Sequence, residues 1–162
     1  FFFANHGKKV LAADGSQLAI SSCQKIAATA GLGDLLFEHV DFAQDDSCSA
    51  FLDRNAPVWA GAIVYARFFL HAIDEDEEHR FLQLSKGLIA TGGSLCLEFR
   101  TDRDELQRKV TASHYRRFVS PIAFISTLHQ HGLKVDYFCE GFGLAKYRDD
   151  DAHVARFVVS SS

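Results

Sequence analysis

The sequence predicts an α/β fold in three layers, with a mostly parallel sheet that closes in an antiparallel C-terminal hairpin. Three observations predict it. Short, nearly all-apolar runs alternate with segments whose apolar residues recur every three to four positions, the pattern of strands lying between helices. Several runs end in an acid or an aromatic residue instead of a tight hairpin turn. The last two runs are joined by a loop of about a dozen residues, too short to cross a sheet with a helix, so that pair is antiparallel.

Each element follows in order. FFFANHGKK reads as the last turns of a helix, with Gly7 where a left-handed residue closes it and two lysines at its negative end. VLAAD, 10–14, is a run with the composition of a strand buried on both faces. Ser16 caps the next helix, whose apolar positions are Leu18, Ala19, Ile20, Cys23, Ile26 and Ala27. LFEHVDF, 36–42, alternates as a strand; AFLDRN makes one or two helical turns that Pro57 stops. AGAIVYARFFLH, 60–71, is a further buried strand running into a loop.

The acidic cluster Asp74–Glu78 opens a helix through about Ile89, where carboxylates complement the helix dipole without needing a metal. TGGSLCLEFR supplies a turn and a strand over 94–100, and the polar stretch TDRDELQRKVTASHYRRF has no settled period. From Pro121 a helix carries Ile122, Ile125, Leu128 and His129 to a stop at Gly132. KVDYFCEG and HVARFVVSS form the final hairpin across GFGLAKYRDDDA.

Composition bounds the function. The 162 residues predict one domain, 1–162, and 48% hydrophobic with 23% charged residues is the composition of a globular chain, not a disordered one. With 17 basic and 21 acidic residues the net charge is −4, which argues against a nucleic-acid partner, since that would want a basic stripe. No apolar stretch approaches the ~20 residues that span a bilayer. FFFA is too short for a secretory signal. Cys23, Cys48, Cys96 and Cys139 are widely spaced, which predicts reduced thiols and a cytoplasmic setting. His129 and His131 stand two apart on a helix, a poor spacing for a shared metal, so no metal is expected.

In open parallel sheets, ligands lie across the carboxyl ends of the strands. Those ends carry Asp14, then Asp41 with Phe42, then Tyr65 to His71, then Glu98 to Arg100. An acid after the second strand of such a sheet accepts hydrogen bonds from ribose hydroxyls, about 20 residues beyond a glycine-rich loop on the first strand. Only 13 residues precede Asp14. The expectation is therefore that the first strand is absent from the chain and that an acid, a glycine and a second glycine two residues later lie within ~10–15 residues upstream of Phe1.

FFFANHGKKVLAADGSQLAI, VDF, VYARFFLHAIDEDEEHRFL and GGSLCLEFR resemble the class I S-adenosylmethionine-dependent methyltransferases, from the end of their first helix to their last strand. More narrowly, Arg67, Leu70 and His71, with the tail HYRRF…EGFGLAKY…ARFVV, resemble small methyltransferase domains found with tellurite-resistance-type enzymes and cell-surface polysaccharide genes. The resemblance implies a sheet of order 3-2-1-4-5-7-6 with strand 7 antiparallel, and S-adenosylmethionine as cofactor. It makes Asp14 the ribose ligand, with Gly15 and Ser16 on that edge, Asp41 the partner of the adenine amino group, and Phe42 a flank of the base. Tyr65 and Ala66 would border the methyl group, and Arg67 would face the acceptor.

His71 and His114 are candidate general bases, because histidine titrates near working pH. Tyr115, Arg116 and Arg117 would line an acceptor that carries a carboxylate or phosphate. The expected function is methyl transfer to a small-molecule acceptor, with homo-oligomer contacts as one way to cover strand edges. Two alternatives stand beside it. A nicotinamide-dependent oxidoreductase would use Asp14 in the same way, although the terminal hairpin argues against it; a non-catalytic remnant or interaction module of the same fold would bind no cofactor even with the upstream residues restored.

Overall fold

The computed structural model describes residues 1–107 and 115–162, which separate into two compact units, Phe1–Phe51 and Leu52–Ser162. The first unit holds α1 (Phe2–Asn5), β1 (Val10–Asp14), α2 (Gln17–Thr29), β2 (Leu35–His39) and the start of α3 (Asp45–Asn55). Gly7 closes α1 at φ 69°, as its position predicts. The Ser16 hydroxyl accepts from the Ala19 amide at 3.2 Å and caps α2. α2 is the crossover between β1 and β2, which pair in parallel from Val10 opposite Leu35 to Asp14 opposite His39.

Burial in this unit differs from expectation. β1 is half-covered at Val10, Leu11 and Ala12 and exposed at Ala13 and Asp14, because β2 is its one strand partner among the described residues. Only Ile20 and Ala27 of α2 are buried, while Leu18 is 79% exposed. α3 is also longer than the sequence predicts, because Asp45 and Asp46 supply an acidic first turn ahead of the apolar Phe51.

The second unit continues with β3 (Ile63–Arg67), a 3-10 turn at Leu70–Ala72, α4 (Glu75–Ile89) and β4 (Ser94–Arg100). A second 3-10 turn (Asp102–Asp104), α5 (Pro121–Gln130), β5 (Leu133–Gly141) and β6 (Val154–Ser161) complete it. Its strands run in the order β3-β4-β6-β5, with β3 parallel to β4 and the last two pairings antiparallel. This is the 4-5-7-6 portion of the expected order, and β1-β2 is the 3-2 portion. α4 begins in a full capping box between Asp74 and Glu77, which gives the acidic cluster its structural role.

The core of this unit lies on the face of β4 that carries Leu95, Leu97 and Phe99. Phe99 stacks on Phe157 at 5.6 Å, and Phe124 of α5 meets both rings edge-on at 5.1 and 5.4 Å. That ring decides which side of α5 is inward: Pro121, Phe124 and Leu128 are buried and Ile122 faces out, against the expected Ile122 and Ile125. β3 is likewise less buried than its composition predicts, with Ile63 72% exposed, since β4 is its one partner among the described residues.

Two consequences can be measured. A Cβ at Gly93 would stand 2.1 Å from the Ala62 carbonyl oxygen, so the turn into β4 admits no side chain. Gly93→Ala should lower stability in denaturant melts by about 1–3 kcal/mol, the usual cost of overpacking. In the same unit, His131 Nε2 lies 2.9 Å from His79 Nδ1. Burial, then the charges of His79 and Lys86, hold His131 below the ordinary histidine range. The unfolded chain therefore takes up that proton first, and this contribution to stability is present above about pH 6.5 and is lost as pH falls through the folded-state value. Thermal melts from pH 7 to pH 5 should show a shallower loss of stability in His131→Gln than in the parent.

Candidate functional site

In the first unit the candidate residues gather where β1 and β2 end. Asp14 is the last residue of β1 and is exposed. Its Oδ1 accepts from the Ser16 amide at 2.7 Å, which orients the carboxylate and leaves Oδ2 open among the described residues. His39 donates from Nε2 to the Gly15 carbonyl at 3.0 Å, tying the end of β2 to the turn after β1. Gly15 has ordinary room for a Cβ, 3.5 Å from the Val40 carbonyl oxygen, so its backbone places no demand for glycine there.

Asp41 lies just beyond β2 in a tight local network. Its amide donates to the Ser47 hydroxyl at 2.9 Å, and its Oδ1 accepts from the Ala43 amide at 2.9 Å. Phe42 beside it is half-buried. Asp14, Gly15, Ser16, Asp41 and Phe42 thus share one end of a parallel strand pair, the end at which such sheets bind ligands.

In the second unit, Tyr65 and Arg67 lie on one face of β3 and Ala66 on the other, by strand alternation. Tyr65 is 52% exposed. Arg67 donates from Nε to Glu98 Oε1 at 2.6 Å. The next residue, Phe68, is held at φ 54°, a left-handed conformation that costs an aromatic residue about 1–3 kcal/mol. Its ring compensates: it packs with Leu144 against Ala145, Ala152 and Val154, and the Arg67 guanidinium lies 4.9 Å from its centroid. His71 follows in the 3-10 turn, its ring 5.8 Å from Phe68.

Arg117 is placed differently from a free acceptor ligand. Its guanidinium is paired with Glu78 of α4 and donates to the Leu70 carbonyl at 3.4 Å, while its amide donates to the His71 carbonyl at 2.9 Å. Arg117 is therefore a clamp between α4 and the turn that presents His71. Arg116 is half-buried and Tyr115 is 61% exposed beside it. His114 lies outside the described residues.

Sequence reasoning missed the network beyond β4. Arg100 donates to Asp104 at 2.7 Å and to Asp150 at 2.5 Å, and Asp104, wholly buried, also accepts from the His153 amide at 2.9 Å. Thr101 joins it through His153 Nδ1 at 2.7 Å. Burial works against the Arg100 charge, but its bonds to Asp150 and Asp104 outweigh it and hold its pKa above the ordinary value. The network pins the Gly141–His153 loop over the carboxyl end of β4. The one sequence signal for it is an arginine ending an otherwise apolar strand, with acids four and fifty residues on.

Among the described residues no three histidine, cysteine, aspartate or glutamate side chains converge as a metal site, no helix is long and apolar enough to cross a membrane, and the four cysteines are free thiols.

Solved structures share this fold. The glycopeptide N-methyltransferase MtfA, complexed with S-adenosyl-L-methionine, superposes with a TM-score of 0.72 at 14% identity, over 99% of this chain and 75% of its own. A methyltransferase from Methanosarcina mazei gives 0.74 at 13% identity, over 99% and 85%. CcbJ from Streptomyces caelestis gives 0.74 at 13%, over 99% and 77%. No protein-family model matches the chain, and no curated protein matches it by sequence. The fold is that of the class I S-adenosylmethionine-dependent methyltransferases.

The clamp yields a prediction. Removing one partner of a buried pair strands the other's charge, which costs about 3–5 kcal/mol; Arg117 keeps some solvent exposure, so Glu78→Ala should fall at or below the lower figure. A double-mutant cycle with Arg117→Ala in urea should show the second substitution costing far less than the first.

Proposed function

We propose that this chain transfers a methyl group from S-adenosylmethionine to a small-molecule acceptor. One observation carries the proposal: over 99% of its length the chain shares the fold of methyltransferases, and an oriented, exposed carboxylate, Asp14, ends the strand where that fold takes a ribose.

The residues present suit the cofactor. Asp14 offers an open Oδ2 to a ribose hydroxyl while Ser16 fixes Oδ1, so little side-chain freedom is left to lose on binding. Asp41, oriented by the Ala43 amide, offers an acceptor to the adenine amino group, and Phe42 an apolar flank. The cofactor supplies a methyl group already activated on a sulfonium. What remains for the protein is to position the nucleophile, exclude water and, for a hydroxyl or amine acceptor, remove a proton.

For the acceptor, Tyr65 and Ala66 would border the reacting group, Arg67 would contact the acceptor, and His71 would take the proton. Arg117 holds His71 in place through the backbone of its turn. Tyr115 and Arg116 stand beside that turn as further acceptor contacts, and His114 is the second candidate base by sequence. A cytoplasmic enzyme that acts on a diffusible substrate is the simplest setting for these parts.

Calorimetry with S-adenosylmethionine tests the reading. Asp14→Ala should weaken binding by about 1–3 kcal/mol, the value of hydrogen bonds to a charged acceptor. No binding even with the expected upstream glycine-rich segment restored would favour the non-catalytic module, and binding of a nicotinamide dinucleotide in its place would favour the oxidoreductase. With a hydroxyl or amine acceptor in hand, His71→Ala should lower kcat by ~10²–10⁴ if His71 is the base. An unchanged kcat would remove it from that role.

A further inference from the structure

The sheet of the second unit has a face that its helical core does not use, and register places its residues in cross-strand rows. One row runs Tyr65, Cys96, Val158, Tyr137. The next, toward the carboxyl end of β3, runs Arg67, Glu98, Arg156, Cys139. A bulge at Asp136 shifts β5 by one residue, which is what brings Tyr137 and Cys139 onto this face and turns Phe138, 38% exposed, to the opposite face, its ring 4.7 Å from Phe157.

The second row has an unusual charge arrangement. Glu98, whose side chain is 7% exposed, accepts from Arg67 Nε on Oε1 and from Arg156 Nε on Oε2, both at 2.6 Å. One guanidinium is enough to neutralise one carboxylate. The second leaves a net charge of +1 in the row, on side chains that stay 48% and 42% exposed. Each guanidinium has five N–H donors and has committed its Nε edge to Glu98. Arg156 gives one further N–H to the Leu144 carbonyl, and the remaining Nη donors of both arginines have no acceptor among the described residues.

We propose that Arg67 and Arg156, braced by Glu98, form an oxyanion subsite that takes a carboxylate or phosphate group of the acceptor. Calling the anion part of the acceptor rests on the methyl-transfer reading; the anion site itself does not. Three features support it. The arginines are held through their Nε edges with the Nη edges open, which is the geometry for planar, multidentate capture of an oxyanion. The row abuts Phe68, whose left-handed backbone marks a place where fold stability has been given up. Finally, Arg117, one of the cations nearest the His71 turn, is committed to Glu78, which leaves the Arg67–Arg156 pair as a preformed cationic surface of β3, β4 and β6.

The test uses the full chain and two probes, inorganic phosphate and acetate, at constant ionic strength, with the arginine Nε–Hε resonances as readout. Arg67 and Arg156 should shift together and saturably. Half-saturation should rise roughly ten- to hundredfold in Arg67→Gln, the effect of losing a charge-assisted bond worth about 1.5–3 kcal/mol. Saturation by phosphate alone identifies a phosphate-bearing acceptor, by acetate alone a carboxylate, and by both the shared oxyanion chemistry.

Because Arg67→Gln leaves Glu98 with one partner, and a folding defect there would mimic lost binding, Arg156→Lys is the companion variant: it keeps the charge beside Glu98, loses the planar fork and should also weaken binding. Shifts that rise linearly without saturating, or that saturate alike in the parent, Arg67→Gln and Arg156→Lys, overturn the proposal. Titration with S-adenosylmethionine separates the two readings. Saturable phosphate shifts without cofactor binding uphold the subsite and remove the methyl-transfer reading, and cofactor binding without saturable phosphate shifts does the reverse.

Discussion

The second unit depends on the register of β4. Its sequence, SLCLEFR, puts Leu95, Leu97 and Phe99 on one face and Cys96, Glu98 and Arg100 on the other. Phe99 locks that choice by stacking on Phe157 of β6 while Phe124 of α5 closes over both. A slip of one residue would drive Glu98 and Arg100 into the aromatic core and expose three large apolar side chains, each worth roughly 1.5–3 kcal/mol when buried. The apolar face therefore fixes where every charged group on the opposite face stands. Arg67 and Arg156 converge on Glu98 because β3 and β6 are both registered on β4.

That register is carried to β5 only through a defect. A regular β5 would keep one alternation throughout, but the extra residue at Asp136 reverses it between Val135 and Tyr137. Leu133 and Val135 face the core before the bulge, and Phe138, still exposed on one side, packs on Phe157 after it. The bulge is anchored by its own side chain: hydrogen bonds first from Ser160 and then from Lys134 hold the Asp136 carboxylate below the usual carboxylate range. The strand thereby satisfies two faces with different demands, an aromatic core on one side and a tyrosine and a thiol beside Arg156 on the other.

Strand positions and the closing hairpin were legible in the sequence because period and punctuation determine them. Val10–Asp14 and Ser94–Arg100 have the bounds their runs predict, Ser16 caps α2 and Gly132 ends α5 in a left-handed turn. Burial was less legible. The composition of β1 and β3 says that these strands tolerate cover on both faces, yet each has one strand partner among the described residues, and Ala13, Ile63 and Tyr65 are exposed. α5 shows a second limit, since Ile122 and Phe124 compete for the core and pattern alone does not reveal that a ring from β4 and one from β6 are waiting for Phe124. The charged partners were least legible: Glu78 and Arg117 are 39 residues apart, and Arg100 and Asp150 are 50 apart.

Those long-range pairs also determine which cations are available for chemistry. Arg100 spends its Nη groups on Asp104 and Asp150, which hold the loop after β4 and the loop before β6. Arg117 spends its guanidinium on Glu78 and its amide on the turn that carries His71. Both therefore act on the shape of the carboxyl end of the sheet more than on any ligand, and a count of arginines in HYRRF overstates the charge offered there. Arg67 differs because its partner is shared. Glu98 divides one negative charge between two guanidinia, so each is held firmly enough to keep its orientation and weakly enough neutralised to attract a further anion. Fixed direction with residual charge is what separates a binding arginine from a structural one, and in this unit that combination occurs where β3 ends, beside the strained Phe68.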